Sequence, residues 1–128
     1  MFGTQGRYYV GSRRLRTVMA LPASLDGPIN PYLPPEIVPF PRGFAFGSDR
    51  RLFLASGMGP SGGGEETIKV FDADGELVTP RLVDDPQLSP LDLVIAPNGN
   101  IVVSCEWPFG AADAKSSVRE YDLSLIHI

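Results

Sequence analysis

Asp92 is the carboxylate whose setting best suits chemistry. It stands in Pro90-Leu91-Asp92, at the opening of a short apolar run. There it can serve as a metal ligand or general base, or cap backbone N–H groups where a strand begins. A second constellation is Glu106-Trp107-Pro108-Phe109. Aromatics beside a carboxylate on a loop suit a ligand site, with Glu106, Trp107 and Phe109 as its contacts. The alternative is a loop whose Trp packs on a neighbouring unit. Arg13, Arg14 and Arg16 can grip an anion or line a solvated hairpin. The glycine-rich stretch 57–64 resembles a phosphate loop, but no Gly-Lys-Ser/Thr follows and a strand comes next, so it reads as a flexible loop. Asp72-Ala73-Asp74-Gly75-Glu76 brings its glycine too early for a calcium-binding EF-hand loop and reads as a hairpin turn. Nucleophilic pairs need a histidine. The sole one is His127, in the last residues of the chain, and Cys105 reads as a small core residue.

Composition narrows the classes. The chain has 128 residues, 43% hydrophobic and 20% charged, which marks a globular domain with a core rather than a disordered segment. Fourteen Gly and 13 Pro fall between short apolar runs, the punctuation of an all-β chain. No apolar run approaches the roughly 20 residues of a bilayer span, and residues 1–10 lack the pattern of a signal peptide. A lone cysteine excludes an internal disulfide and leaves the compartment open. Charge is uneven. Residues 1–51 hold seven Arg against Asp26, Glu36 and Asp49, a net +4, and residues 52–128 carry a net −8. No aromatic-plus-basic module accompanies the positive half, so neither a nucleic-acid nor a membrane partner is expected.

What must position these residues is a repeat. Pro41-Arg42-Gly43-Phe44-Ala45-Phe46 matches Pro90-Leu91-Asp92-Leu93-Val94-Ile95 at an offset of 49 residues. Leu52-Phe53-Leu54-Ala55-Ser56 matches Ile101-Val102-Val103-Ser104-Cys105, and Ile68-Lys69-Val70-Phe71-Asp72 matches Val118-Arg119-Glu120-Tyr121-Asp122 at 50. An incomplete upstream copy comprises Arg7-Tyr8-Tyr9-Val10-Gly11 and Thr17-Val18-Met19-Ala20-Leu21. Each run is shorter than a typical helix of about 11 residues and rich in β-branched and aromatic residues. The first two runs of a copy are nearly all apolar, as in strands covered on both faces. The third alternates apolar with polar, as in half-buried strands. Pro41 and Pro90 open strands, where a missing N–H is tolerated. Asp74-Gly75 and Asn98-Gly99 are turn pairs that accept positive φ. Glu76-Leu77-Val78 and Arg81-Leu82-Val83 can supply an outer fourth strand, as can Ile37-Val38-Pro39-Phe40 in the first copy.

Four strands per roughly 50 residues is the period of a β-propeller blade. The expected fold is therefore all-β, a propeller fragment of about three partial blades: 5–40, 41–89 and 90–122, within one domain 1–122. The string Pro41-x-Gly43-Phe44-Ala45-Phe46…Leu52-Phe53-Leu54-Ala55…Ile68-x-Val70-Phe71-Asp72-x-Asp74-Gly75 resembles an NHL repeat. It is also similar to the six-bladed propellers of the gluconolactonase, senescence-marker and luciferin-regenerating-enzyme superfamily. That resemblance implies a scaffold binding a protein, peptide, glycan or small molecule at the propeller mouth, or alternatively a metal-dependent lactonase, hydrolase or lyase. In the lactonase branch a divalent cation such as Ca2+ sits in the central channel, and a Pro-Asn-Asp motif opens an inner strand. Here Pro90-Leu91-Asp92 keeps only the Asp. Residues 123–128 resemble the translation of a sequencing adaptor and are expected to be foreign to the natural protein; the alternative is a short apolar C-terminal strand. Such an open set of blades exposes apolar faces and is expected to self-associate.

Overall fold

The β-rich runs pair as antiparallel strands because their Val, Ile, Leu and Phe side chains fit a pleated surface. The computed structural model describes residues 8–12, 17–21, 30–33, 41–47, 49–58, 64–83, 88–107, 112–113 and 115–122. Among them every regular element is a strand, and no helix is long and apolar enough to cross a membrane. The first sheet has the order β1 (Tyr8–Ser12), β2 (Thr17–Leu21), β3 (Asn30–Pro31). The second runs β4 (Pro41–Phe46), β5 (Leu52–Met58), β6 (Gly64–Phe71), β7 (Leu77–Thr79). The third joins β8 (Pro90–Ile95), β9 (Ile101–Trp107) and β10 (Lys115–Tyr121). Each strand pairs with its sequence neighbour in an up-and-down meander.

The second sheet lies between the other two, which accounts for its lack of a polar face. Alternate residues of β5 point opposite ways. Leu52 and Leu54 join Phe44 and Phe71 against Tyr9, Val18 and Leu33. Phe53 and Ala55 join Ala45, Ile68 and Val70 against Leu93, Ile101, Val103 and Cys105. Burying each large apolar side chain contributes about 1.5–3 kcal/mol, so two such interfaces hold the three sheets together. Near one end of the first interface, Tyr9, Tyr32 and Phe46 form an aromatic cluster, with Tyr9 and Phe46 centroids 4.8 Å apart. The Tyr32 hydroxyl donates to the Ala73 carbonyl at 3.0 Å, and burial pushes its pKa upward, with Tyr9, Asp72 and Asp74 adding to the shift.

The turns follow the sequence closely. Gly75 and Gly99 have φ of 83° and 88°, and their N–H groups close turns on the Asp72 and Ala96 carbonyls. The Asp72 carboxylate accepts the Asp74 and Glu76 N–H groups, so 72–76 is a hairpin turn between β6 and β7. The equivalent of Gly99 between β4 and β5 is Arg50, which adopts φ 66°. Beside it, the Asp49 carboxylate accepts the Arg51 N–H at 3.2 Å and the Arg51 Nε–H at 2.5 Å.

Two expectations about polarity fail. Lys69 breaks the apolar pattern of β6 yet is buried, because its stem packs in the interior while Nζ reaches the Pro80 carbonyl at 3.2 Å. In β10 the alternation is inverted: Val118 is 72% exposed, and half-buried Arg119 pairs with Val103 on the inward face. The outer fourth strand of the second sheet is β7, and Leu82 extends it by donating its N–H to the Ile68 carbonyl at 2.9 Å. In the first sheet β2 pairs with Asn30–Pro31. Residues 37–40 and 123–128 lie outside the described residues.

Candidate functional site

The meander gathers chemistry-bearing residues at one end of the sheets. Pro41 pairs with Ser56 and Pro90 with Cys105, so β4 and β8 begin where β5 and β9 finish. Glu106 pairs with Ser116 and Ser56 with Thr67, so β10 and β6 also start there. Both first strands carry a register shift at this end, between Pro41 and Phe44 and between Pro90 and Asp92. Such bulges re-aim the side chains they contain.

Arg42 sits in the first of these bulges and crosses from the second sheet to the third. Its Nη1 and Nη2 donate to the two oxygens of Glu66 at 2.8 and 3.0 Å, a bidentate fork. Nη1 also donates to the Pro90 carbonyl at 2.6 Å, and the Ser89 hydroxyl donates to Glu66 Oε2 at 3.1 Å. The side chains are 5% and 16% exposed, so this ion pair is largely removed from water. Gly57 makes room for it: a Cβ there would lie 2.5 Å from Nη2. Gly43 plays the same part between backbones, since its Cβ would lie 2.7 Å from Asp92 Cα. The first strands of the second and third sheets therefore touch closely, pinned by a charge-assisted network.

Asp92 is exposed, and its Oδ1 accepts the Leu93 N–H at 2.8 Å. Its carbonyl accepts the Ser104 hydroxyl at 3.3 Å. Glu106 is half-buried and donates its backbone N–H to the Ser89 carbonyl at 3.1 Å. By register Ser104 and Glu106 share the outer face of the third sheet, while the Asp92 carboxylate lies against Gly43 of β4, so the structure brings two sequence candidates to one end but not to one face. Trp107 closes β9 opposite Lys115. Phe109, Arg13, Arg14, Arg16 and residues 59–63 lie outside the described residues. Cys105 is buried as a core residue.

A hard cation such as Ca2+ takes six to eight oxygen ligands. Among the described residues, no three His, Cys, Asp or Glu side chains come together as metal ligands would. Asp92 is the one carboxylate on a first strand, so the described donor set does not fit a channel Ca2+. Arg42, Glu66 and Ser89 went unmarked in the sequence, although an arginine inside an apolar first strand signals a buried charge in need of a carboxylate. No protein-family model matches the chain, and no curated protein matches it either.

Proposed function

We propose that the three sheets are successive blades of a β-propeller of the NHL and gluconolactonase-like kind. On this reading the end bearing Arg42, Asp92, Glu106 and the loop after Trp107 is a non-catalytic binding mouth for a protein, peptide, glycan or small molecule. The observation that carries the proposal is the close approach of β4 and β8. They are equivalent in the repeat, and contact between their sheets is densest at these two strands. Blades radiating from an axis approach most closely at their inner strands, and Gly43 and the Arg42 network suit such an axis-lining position.

The test pairs a melt with a turnover assay. Thermal unfolding is followed with Ca2+, Mg2+, Mn2+ and Zn2+ added singly, and hydrolysis of gluconolactone is measured in parallel. The expected outcome is no rise in Tm with any cation and no hydrolysis above buffer. A bound metal must stabilise the folded state, so a saturable rise in Tm together with lactone turnover overturns the scaffold reading in favour of a metal-dependent lactonase.

A further inference from the structure

We propose that the Arg42–Glu66–Ser89 network is a positioning device for the mouth: it fixes where the end of β9, and with it Glu106, stands relative to β4. The inference rests on the mouth reading above. Ser89 is the node. It is fully buried. Its hydroxyl donates to Glu66 Oε2 at 3.1 Å, and its carbonyl accepts the Glu106 N–H at 3.1 Å. The next carbonyl, that of Pro90, accepts from Arg42 Nη1 at 2.6 Å. Ser89 and Pro90 thus join the two ions of the second sheet to the end of β9. Ladder pairing alone is weak at this point. Pro90 has no N–H to donate, and the β8–β9 register shifts between Pro90 and Asp92.

Cohesion between the sheets does not need these ions. Phe53, Ala55, Ile68, Leu93 and Val103 already fill the interface, and apolar groups of similar volume often replace a buried ion pair without loss of stability. The repeat does not require them either, since Leu91 and Ser116 stand at the equivalent positions of the next copy. What the ions add is direction. Hydrogen bonds weaken steeply as they bend, so a guanidinium that engages both oxygens of Glu66 is held in one orientation. Gly57 packs against it and leaves it no room to swing. From there the path runs through Glu66 and the Ser89 hydroxyl to the Ser89 carbonyl and the Glu106 N–H. Glu106 is half-buried at that end, so a shift of its backbone moves a carboxylate of the mouth.

Amide hydrogen exchange of the full chain, read by NMR, tests this, because local positioning and general stabilisation leave different patterns of protection. The Glu106 amide is compared with those of Leu54 and Val103, on the central strands β5 and β9. Two variants are measured, Ser89→Ala and the pair Arg42→Met with Glu66→Leu. In each, the Glu106 amide is expected to lose about tenfold or more in protection relative to both reference amides. Should the paired variant fail to fold, Ser89→Ala decides alone, since it removes one hydroxyl and adds no bulk. Equal changes at all three amides, or none, overturn the positioning role whatever the mouth binds. Metal-dependent lactone turnover overturns the mouth reading and leaves the exchange result standing, so the two fail separately.

Discussion

Removing the Glu66 carboxylate strands a guanidinium in the interior. In Glu66→Leu the Arg42 side chain, 5% exposed, keeps the Pro90 carbonyl but loses both oxygens of its fork. Breaking a buried pair by deleting one partner costs about 3–5 kcal/mol. Glu66 is 16% exposed, so water can enter as the site relaxes, and the lower end, about 3 kcal/mol, is expected. Arg42→Met alone leaves the Ser89 hydroxyl as a donor to Glu66 and is milder, about 2 kcal/mol. The pair Arg42→Met with Glu66→Leu replaces the ions by apolar groups of similar volume and comes within about 1 kcal/mol of wild type. Gly57→Ala provides an independent check, because its Cβ meets the guanidinium rather than the backbone. It is destabilising in the wild type and nearly neutral in Arg42→Met, a coupling of about 1–3 kcal/mol. Urea unfolding of the five variants and wild type at one pH measures all of these terms. Additive changes within about 0.5 kcal/mol would refute the reasoning, since neighbours that share a network cannot act independently.

Turn chemistry and pH give further expectations. Arg50 occupies the left-handed region at φ 66°, so Arg50→Gly raises stability by up to about 1 kcal/mol, read as an upward shift in Tm. Gly75→Ala moves the other way by about 2 kcal/mol or more, because φ is 83° and the new Cβ lies 2.6 Å from the Tyr32 carbonyl oxygen. Equal Tm values for wild type and either variant would contradict the turn assignment. Partial burial of Asp49 opposes its ionisation, but the Arg51 N–H and guanidinium outweigh it and hold the pKa below the ordinary carboxylate value. A depressed carboxylate stabilises above its unfolded pKa and loses that contribution as pH falls through the folded one. Asp49→Asn is therefore less stable than wild type at pH 7 by at most about 1 kcal/mol, and the gap closes on acidification; a gap that is constant from pH 7 to pH 2 would contradict it.

The strands and turns were legible because the repeat aligns them. Two copies agree on where β4 and β5 begin, whereas β6 starts at Gly64, before the aligned run at Ile68, and Gly75 and Gly99 need the conformations their turns adopt. The Asn30–Pro31 pairing was not legible: it is two residues long, and its Pro is unusual within a sheet. Nor was the Arg42–Glu66 fork, whose partners lie 24 residues apart. The repeat conceals it further, since Leu91 and Ser116 stand at the equivalent positions. Lys69 and Val118 show why polarity alone misplaces a face. One is a long stem with a reachable carbonyl, and the other lies where stacking stops. Of the candidate residues, Asp92 and Glu106 were legible as residues, but not as neighbours at one end of the sheets. That required the β8–β9–β10 register.

Because the second sheet has no polar face, the order of synthesis matters. Once Phe71 has emerged, β4–β6 can pair, and the first sheet already covers Leu52, Leu54 and Phe71. Phe53, Ile68 and Val70 must wait for Leu93, Ile101, Val103 and Cys105. At about 5–20 residues per second that interval lasts roughly two to seven seconds. During it the nascent chain presents a bare apolar sheet face, a target for chaperones and for aggregation. Synonymous codons that slow translation between Phe71 and Cys105 lengthen that window, so the yield of folded protein depends on decoding speed there while the amino-acid sequence stays the same.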